Sequence, residues 1–175
     1  MGNPKNVRSM LLAHRTPPAM SLGVRENAEK AVRSGFRFIQ NTMVDDDTAM
    51  AVDAYLTSLT PVASPHLKQG KLSPQQEQGR ELFTTASCIS CHKPPLYTNL
   101  KQYDLGTTSG MDKGRKVDVP TLIEVWRTAP YLHDGRALTL RDVFSPANNP
   151  EQTHGDVQDL TSEQLDALLA YISTL

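Results

Sequence analysis

At 175 residues and 38% hydrophobic, the chain is long enough for one ordinary globular domain, or for one compact domain with a flanking element. Its 18 Lys and Arg against 19 Asp and Glu leave a net charge of -1, which gives no electrostatic reason to expect nucleic acid or an anionic membrane surface as partner. No apolar run approaches the roughly 18 residues of a membrane span, and with aromatics at 6% and 12 prolines a large apolar cofactor would fill an otherwise thin core.

The start, Met1-Gly2-Asn3-Pro4-Lys5, lacks the basic-then-apolar pattern of a signal peptide. Residues 26–39 and 47–59 both read as helices, the second capped by Asp45, Asp46 and Asp47. His14 and His66 read as surface residues, and residues 61–71 as a linker. A further helix starts with Ser73 as N-cap, Pro74 at N1 and Gln76 at N3, runs through Gly79, Leu82 and Phe83, and ends just before Cys88. Glycine weakens a helix interior by roughly 1 kcal/mol, so a close helix crossing is expected at Gly79.

Residues 94–130 are rich in Gly, Thr, Asp and Pro and predict irregular loop, a small hairpin, and a short helix after Pro120. Another short helix is expected at Thr139, capped with Asp142. The last helix is the best marked: Thr161 and Gln164 form a capping box, Leu160 can staple to Leu165, and Leu165, Leu168, Leu169, Ile172 and Leu175 make one apolar stripe. Residues 51–59 and 167–175 resemble each other position by position, as if one helix type closed two successive units. The expected organisation is therefore a helical segment 1–60, the remnant of a preceding unit, then the linker 61–71 and a main domain 72–175.

Both cysteines fall in one motif, Cys88-Ile89-Ser90-Cys91-His92. Two thiols on a short turn can add to the two vinyl groups of a haem, and the next residue's imidazole then lies beneath the iron as axial ligand. Rival readings are a zinc site completed by His133 and His154, a thioredoxin-like pair lacking its βαβ setting, and a plain disulfide. Covalent haem attachment normally takes place outside the cytoplasm. The expectation is accordingly a periplasmic or extracellular protein, written here in mature form or as a piece of a longer chain.

Around the motif stand Gly79-Arg80-Glu81-Leu82-Phe83, Val119-Pro120-Thr121-Leu122, Thr128-Ala129-Pro130-Tyr131-Leu132-His133-Asp134-Gly135 and Thr139-Leu140. With these blocks the chain resembles the C-terminal haem domain of bacterial di-haem cytochrome c peroxidases, and more closely the peroxidase-like domains attached to large secreted or surface proteins. The resemblance implies a mostly α, cytochrome c-like fold with long loops around one covalent haem, acting as the electron-accepting, higher-potential domain. Enzymes of that family reduce peroxide at a second haem in the N-terminal half, and no second Cys-x-x-Cys-His is present. An electron carrier serving a redox partner protein or a second haem domain is thus expected first. Peroxide reduction, alone or with a second haem unit, is the alternative, and a zinc-binding interaction domain the third.

The family's sixth iron ligand, a Met or Tyr, falls on Ala147, which cannot bind iron. His154, in the loop before the last helix, is the first candidate in its place and Met111 the second. The resemblance puts His133 at the haem edge, bonding a propionate or assisting proton transfer in the enzymatic reading. Arg127 and Arg136 are candidates to pair with propionates, Trp126 to pack the core, and the carbonyls of Thr128 and Pro130 to hold a structural calcium.

Overall fold

Capping boxes set where three of the helices begin, and all three lie at the expected residues. Ser73 with Gln76 opens α3 (Pro74–Thr85), Thr139 with Asp142 opens α5 (Leu140–Val143), and Thr161 with Gln164 opens α6 (Ser162–Ile172). In each, the hydroxyl accepts from the N3 amide while the N3 side chain accepts from the N-cap amide, which satisfies two otherwise orphaned donors. The computed structural model describes residues 5–175; Met1 to Pro4, part of the start read above against a signal peptide, lie outside them.

Upstream are α1 (Ala28–Phe38), capped by Asn27, and α2 (Asp46–Ser58), capped by Asp45. The four-residue α4 (Cys88–Cys91) follows α3 directly. The expected hairpin is the antiparallel pair β1 (Gln102–Tyr103) and β2 (Val117–Asp118), in register Gln102 to Asp118. The helix expected after Pro120 is only a 3-10 turn, Val125–Arg127, because it starts from a left-handed residue, Glu124 at φ 60, and runs straight into the Thr128-Ala129-Pro130 segment.

The core lies where α3 crosses α6. Phe83, Val125, Leu168, Tyr171 and Ile172 form it, with Phe83 edge-on to Tyr171 at 5.5 Å and to Tyr97 at 6.1 Å. Gly79 is what lets the helices touch: a Cβ there would stand 1.9 Å from the Ala167 carbonyl oxygen. Residues 61–71 run against this core. The Val62 amide donates to the Glu124 carboxylate at 2.6 Å, the Ser64 hydroxyl to the Ser173 carbonyl at 2.7 Å, and the Gln76 carboxamide to the His66 carbonyl at 3.0 Å.

One local turn occurs twice in the chain. Leu12, at φ 62, opens the 3-10 helix Ala13–Arg15 ahead of Arg15-Thr16-Pro17-Pro18, just as Glu124 opens Val125–Arg127 ahead of Arg127-Thr128-Ala129-Pro130. His14 does not lie at the surface, contrary to expectation. Its Nε2 is 3.0 Å from the Asp53 carboxylate, which Arg33 also holds at 2.7 Å, and the side chain is 10% exposed.

Candidate haem site

The end of α3 aims the cysteine motif. Ser87 adopts a left-handed conformation, φ 62, that breaks the helix and restarts it as α4, so both cysteines fall within one helical turn. Both are free thiols, which sets the disulfide reading aside. Burial pushes the Cys88 thiol up to about 11. His92 caps α4, its amide donating to the Cys88 carbonyl at 2.8 Å. Its Nδ1 lies 3.0 Å from the Tyr97 carbonyl oxygen, so Nδ1–H donates there and Nε2 keeps a free lone pair. Burial lowers the His92 pKa, opposed by the carbonyls of Tyr97 and Pro120.

His154 comes from the loop before α6. The amide of Asp156 donates to the Ala86 carbonyl at 3.1 Å and the His154 amide to the Asn149 carboxamide oxygen at 3.1 Å, which ties this loop to the end of α3. The His154 ring lies 5.7 Å from the Phe144 ring and 6.5 Å from the His92 ring, centre to centre. Burial, and secondarily the His92 charge, brings its pKa down to about 4, so the imidazole is neutral and open to coordination near pH 7. Its Nδ1 is buried without a hydrogen-bond partner among the described residues.

Cys88, Cys91, His92 and His154 line one cavity of about 350 Å³, walled by Phe83, Leu122, Val125, Val143, Phe144 and Ile172. A shallower groove of about 580 Å³, bordered by Trp126, Tyr131, Leu138, Arg141 and Asp166, carries no cysteine or histidine. His133 is also in the cavity wall. It is 7% exposed, neither ring nitrogen has a hydrogen-bond partner among the described residues, and the Asp112 and Asp134 carboxylates stand 3.9 Å away. Burial lowers its pKa, against the pull of Asp134 and Asp112 and with help from Arg136 and Lys5.

Three expected residues are not brought to this cavity. Met111 is 77% exposed and outside the lining. Arg127 turns back to the buried Glu124 carboxylate three residues earlier and over the Trp126 ring. Arg136 is held by the Thr107 carbonyl and, at 3.6 Å, by Asp134. Sequence reasoning missed Arg8, whose Nη1 donates at 3.1 Å to Asp118; both line the cavity, and burial raises Asp118 to about 6 in spite of the arginine.

The donors present fit a covalent haem. Two free thiols on one turn, one apolar cavity and two neutral buried imidazoles are what that group needs, since its macrocycle brings four nitrogen ligands of its own. They do not fit zinc. No group of three or more His, Cys, Asp or Glu side chains able to hold a metal ion exists among the described residues. Nor is any helix among them long and apolar enough to cross a membrane.

A family model described as cytochrome c matches residues 76–175. The chain is 24% identical to the cytochrome c551 peroxidase of Pseudomonas aeruginosa over 195 aligned positions, covering 97% of this chain and 55% of that protein. It is 23% identical to hydrazine synthase subunit gamma of Kuenenia stuttgartiensis over 169 positions, 71% of this chain and 48% of that protein. It thus spans about half the length of these relatives. In fold it is similar to a chain of the Kuenenia stuttgartiensis hydrazine synthase solved under xenon pressure, with a TM-score of 0.85 at 19% identity over 98% of this chain and 72% of that one.

Proposed function

The chain belongs to the cytochrome c family, and from that premise we propose that it carries electrons through one haem c, bound by thioethers to Cys88 and Cys91, with His92 and His154 as axial ligands. The observation that carries this reading is the pair of imidazoles that line one cavity with ring centres 6.5 Å apart. Two imidazoles bonded to one metal from opposite sides, each at about 2 Å, have ring centres about 6 Å apart. The bound haem would supply a one-electron iron couple, at a lower potential with two imidazoles than with a thioether. The protein's part is to hold the two rings. The Tyr97 carbonyl fixes the His92 tautomer and enriches that ring in electron density, and Asn149 with Ala86 pins the His154 loop.

The test is the optical and electron-paramagnetic spectrum of protein matured with haem-ligation machinery. Low-spin ferric iron without a methionine band near about 695 nm is expected, turning high-spin in His154→Ala. High-spin iron, or that band, in the unaltered protein overturns the His154 assignment.

A second reading, peroxide reduction together with a further haem-bearing unit, draws on His133, a neutral buried imidazole with both nitrogens available to pass a proton at the cavity wall. The recurring turn at residues 12–18 supports residues 1–60 as the rear of a preceding cytochrome c-like unit, and so a second haem domain as the redox partner. Thioether formation, which normally takes place outside the cytoplasm, supports a periplasmic or extracellular compartment.

A further inference from the structure

A haem c carries two propionate carboxylates, and a carboxylate brought against apolar walls requires a cation or several donors to meet it. Among the described residues that line the cavity, Arg8 is the one with a Lys or Arg side chain. It stands outside the domain that holds the cysteines, on a strap of residues 5–12 that forms part of the cavity wall. This strap is fastened near its start: the Asn6 amide donates to the His133 carbonyl at 2.8 Å, its carboxamide to the Pro130 carbonyl, and the Lys5 ammonium to Asp112.

The Arg8 guanidinium sits at a boundary. Its side chain is 31% exposed while that of its partner Asp118 is 5% exposed, the setting for the polar edge of a flat and otherwise apolar macrocycle. One donor, Nη1, is spent on Asp118. A guanidinium has five, in a planar fork that matches a carboxylate. The other nearby cations lie outside the cavity lining: Lys5 is on Asp112, Arg127 on Glu124, and Arg136 on Thr107 and Asp134, with its buried Nε alone left without a partner among the described residues.

We propose that Arg8 anchors the haem by binding a propionate opposite Asp118, so that loading the cofactor fastens the N-terminal strap onto the domain. This rests on the haem reading above. The fork has donors for both carboxylates, and below about pH 6, where burial keeps most of the Asp118 carboxyl protonated, the two would not repel each other.

The test uses haem-loaded protein, unaltered and as Arg8→Gln, Arg8→Lys and Asp118→Asn, with amide hydrogen exchange at residues 5–12 and the midpoint potential as readouts. The Gln variant is expected to exchange at least tenfold faster across the strap and to have a lower potential, because losing a cation favours the ferric state. The Lys variant recovers part of both, and the Asn variant keeps the strap protected. Unchanged exchange and potential in Arg8→Gln overturn the proposal, and so does an Asp118→Asn variant as loose as Arg8→Gln, which makes Arg8 a partner of Asp118 alone. The absorption spectrum of each sample reports haem attachment separately, so an unaltered protein that takes up no haem overturns the underlying reading, and this proposal with it.

Discussion

Leu12 and Glu124 each sit left-handed, at φ 62 and φ 60, and each opens a three-residue 3-10 helix followed by Arg-Thr-x-Pro, yet the two turns have different surroundings. Glu124 itself is covered, 2% exposed. Its amide donates to the Leu175 carbonyl at 2.9 Å, its carboxylate holds Val62 and Arg127, and Val125 enters the core beside Phe83 and Leu168. Around Leu12 the neighbouring helices stay half dressed, with Phe38 60%, Ile39 79%, Met50 54% and Tyr55 65% exposed. The two regions therefore differ in their surroundings and not in the turn itself. What the second region adds is α3, whose glycine lets it lie directly on α6 and whose end carries the cysteine turn.

That contrast can be broken at its strongest point. Gly79→Ala drives a Cβ into the Ala167 carbonyl, a backbone atom that cannot step aside, and is expected to cost roughly 3 kcal/mol or more in urea unfolding of the haem-loaded protein. Next in size is Asp118. Its folded pKa of about 6 lies above the ordinary carboxyl value of 3.8, so its contribution favours the fold while it is protonated, is fully present below about pH 4, and is lost as pH rises through 6. The stability difference between the unaltered protein and Asp118→Asn should therefore change by roughly 2 to 3 kcal/mol between pH 4 and pH 7. A flat difference would show that Asp118 is not desolvated.

A smaller loss, about 2 kcal/mol, is expected for Glu124→Gln, which leaves the Val62 amide an acceptor but removes the charge facing Arg127. Smallest, and of opposite sign, is Gly35→Ala in α1. Nothing lies within 4 Å of the new methyl group, so thermal unfolding should move up by an amount equivalent to about 0.5 to 1 kcal/mol. Two helix glycines, one load of a single carbon each, should thus report opposite signs from the two regions.

The legible parts of this molecule are those encoded within a few residues of one another. The three capping boxes, the hairpin and the glycine at the helix crossing all follow from local chemistry. Long-range partnerships were not legible: Arg8 meets Asp118 across 110 positions, and nothing in the sequence around Val7-Arg8-Ser9 marks it as a wall of the cavity. The expected propionate partners show the reverse failure. Arg127 and Arg136 flank the His-Asp-Gly turn in sequence, but neither lines the cavity: Arg127 pairs with Glu124 three residues away, and Arg136 lies 3.6 Å from Asp134 two residues away. Of the two candidates for the far side of the iron, the loop carrying His154 is pinned inward by Asn149, while the short 3-10 turn Gly110–Asp112 leaves the Met111 side chain exposed.

The hydrogen bond from the Asp156 amide to the Ala86 carbonyl ends two residues short of Cys88. Both imidazoles therefore ride on the same few atoms at the tip of one helix. A displacement of that tip would carry the two rings in the same direction, so the spacing on which ligation of one iron depends is held by a single short stretch of backbone.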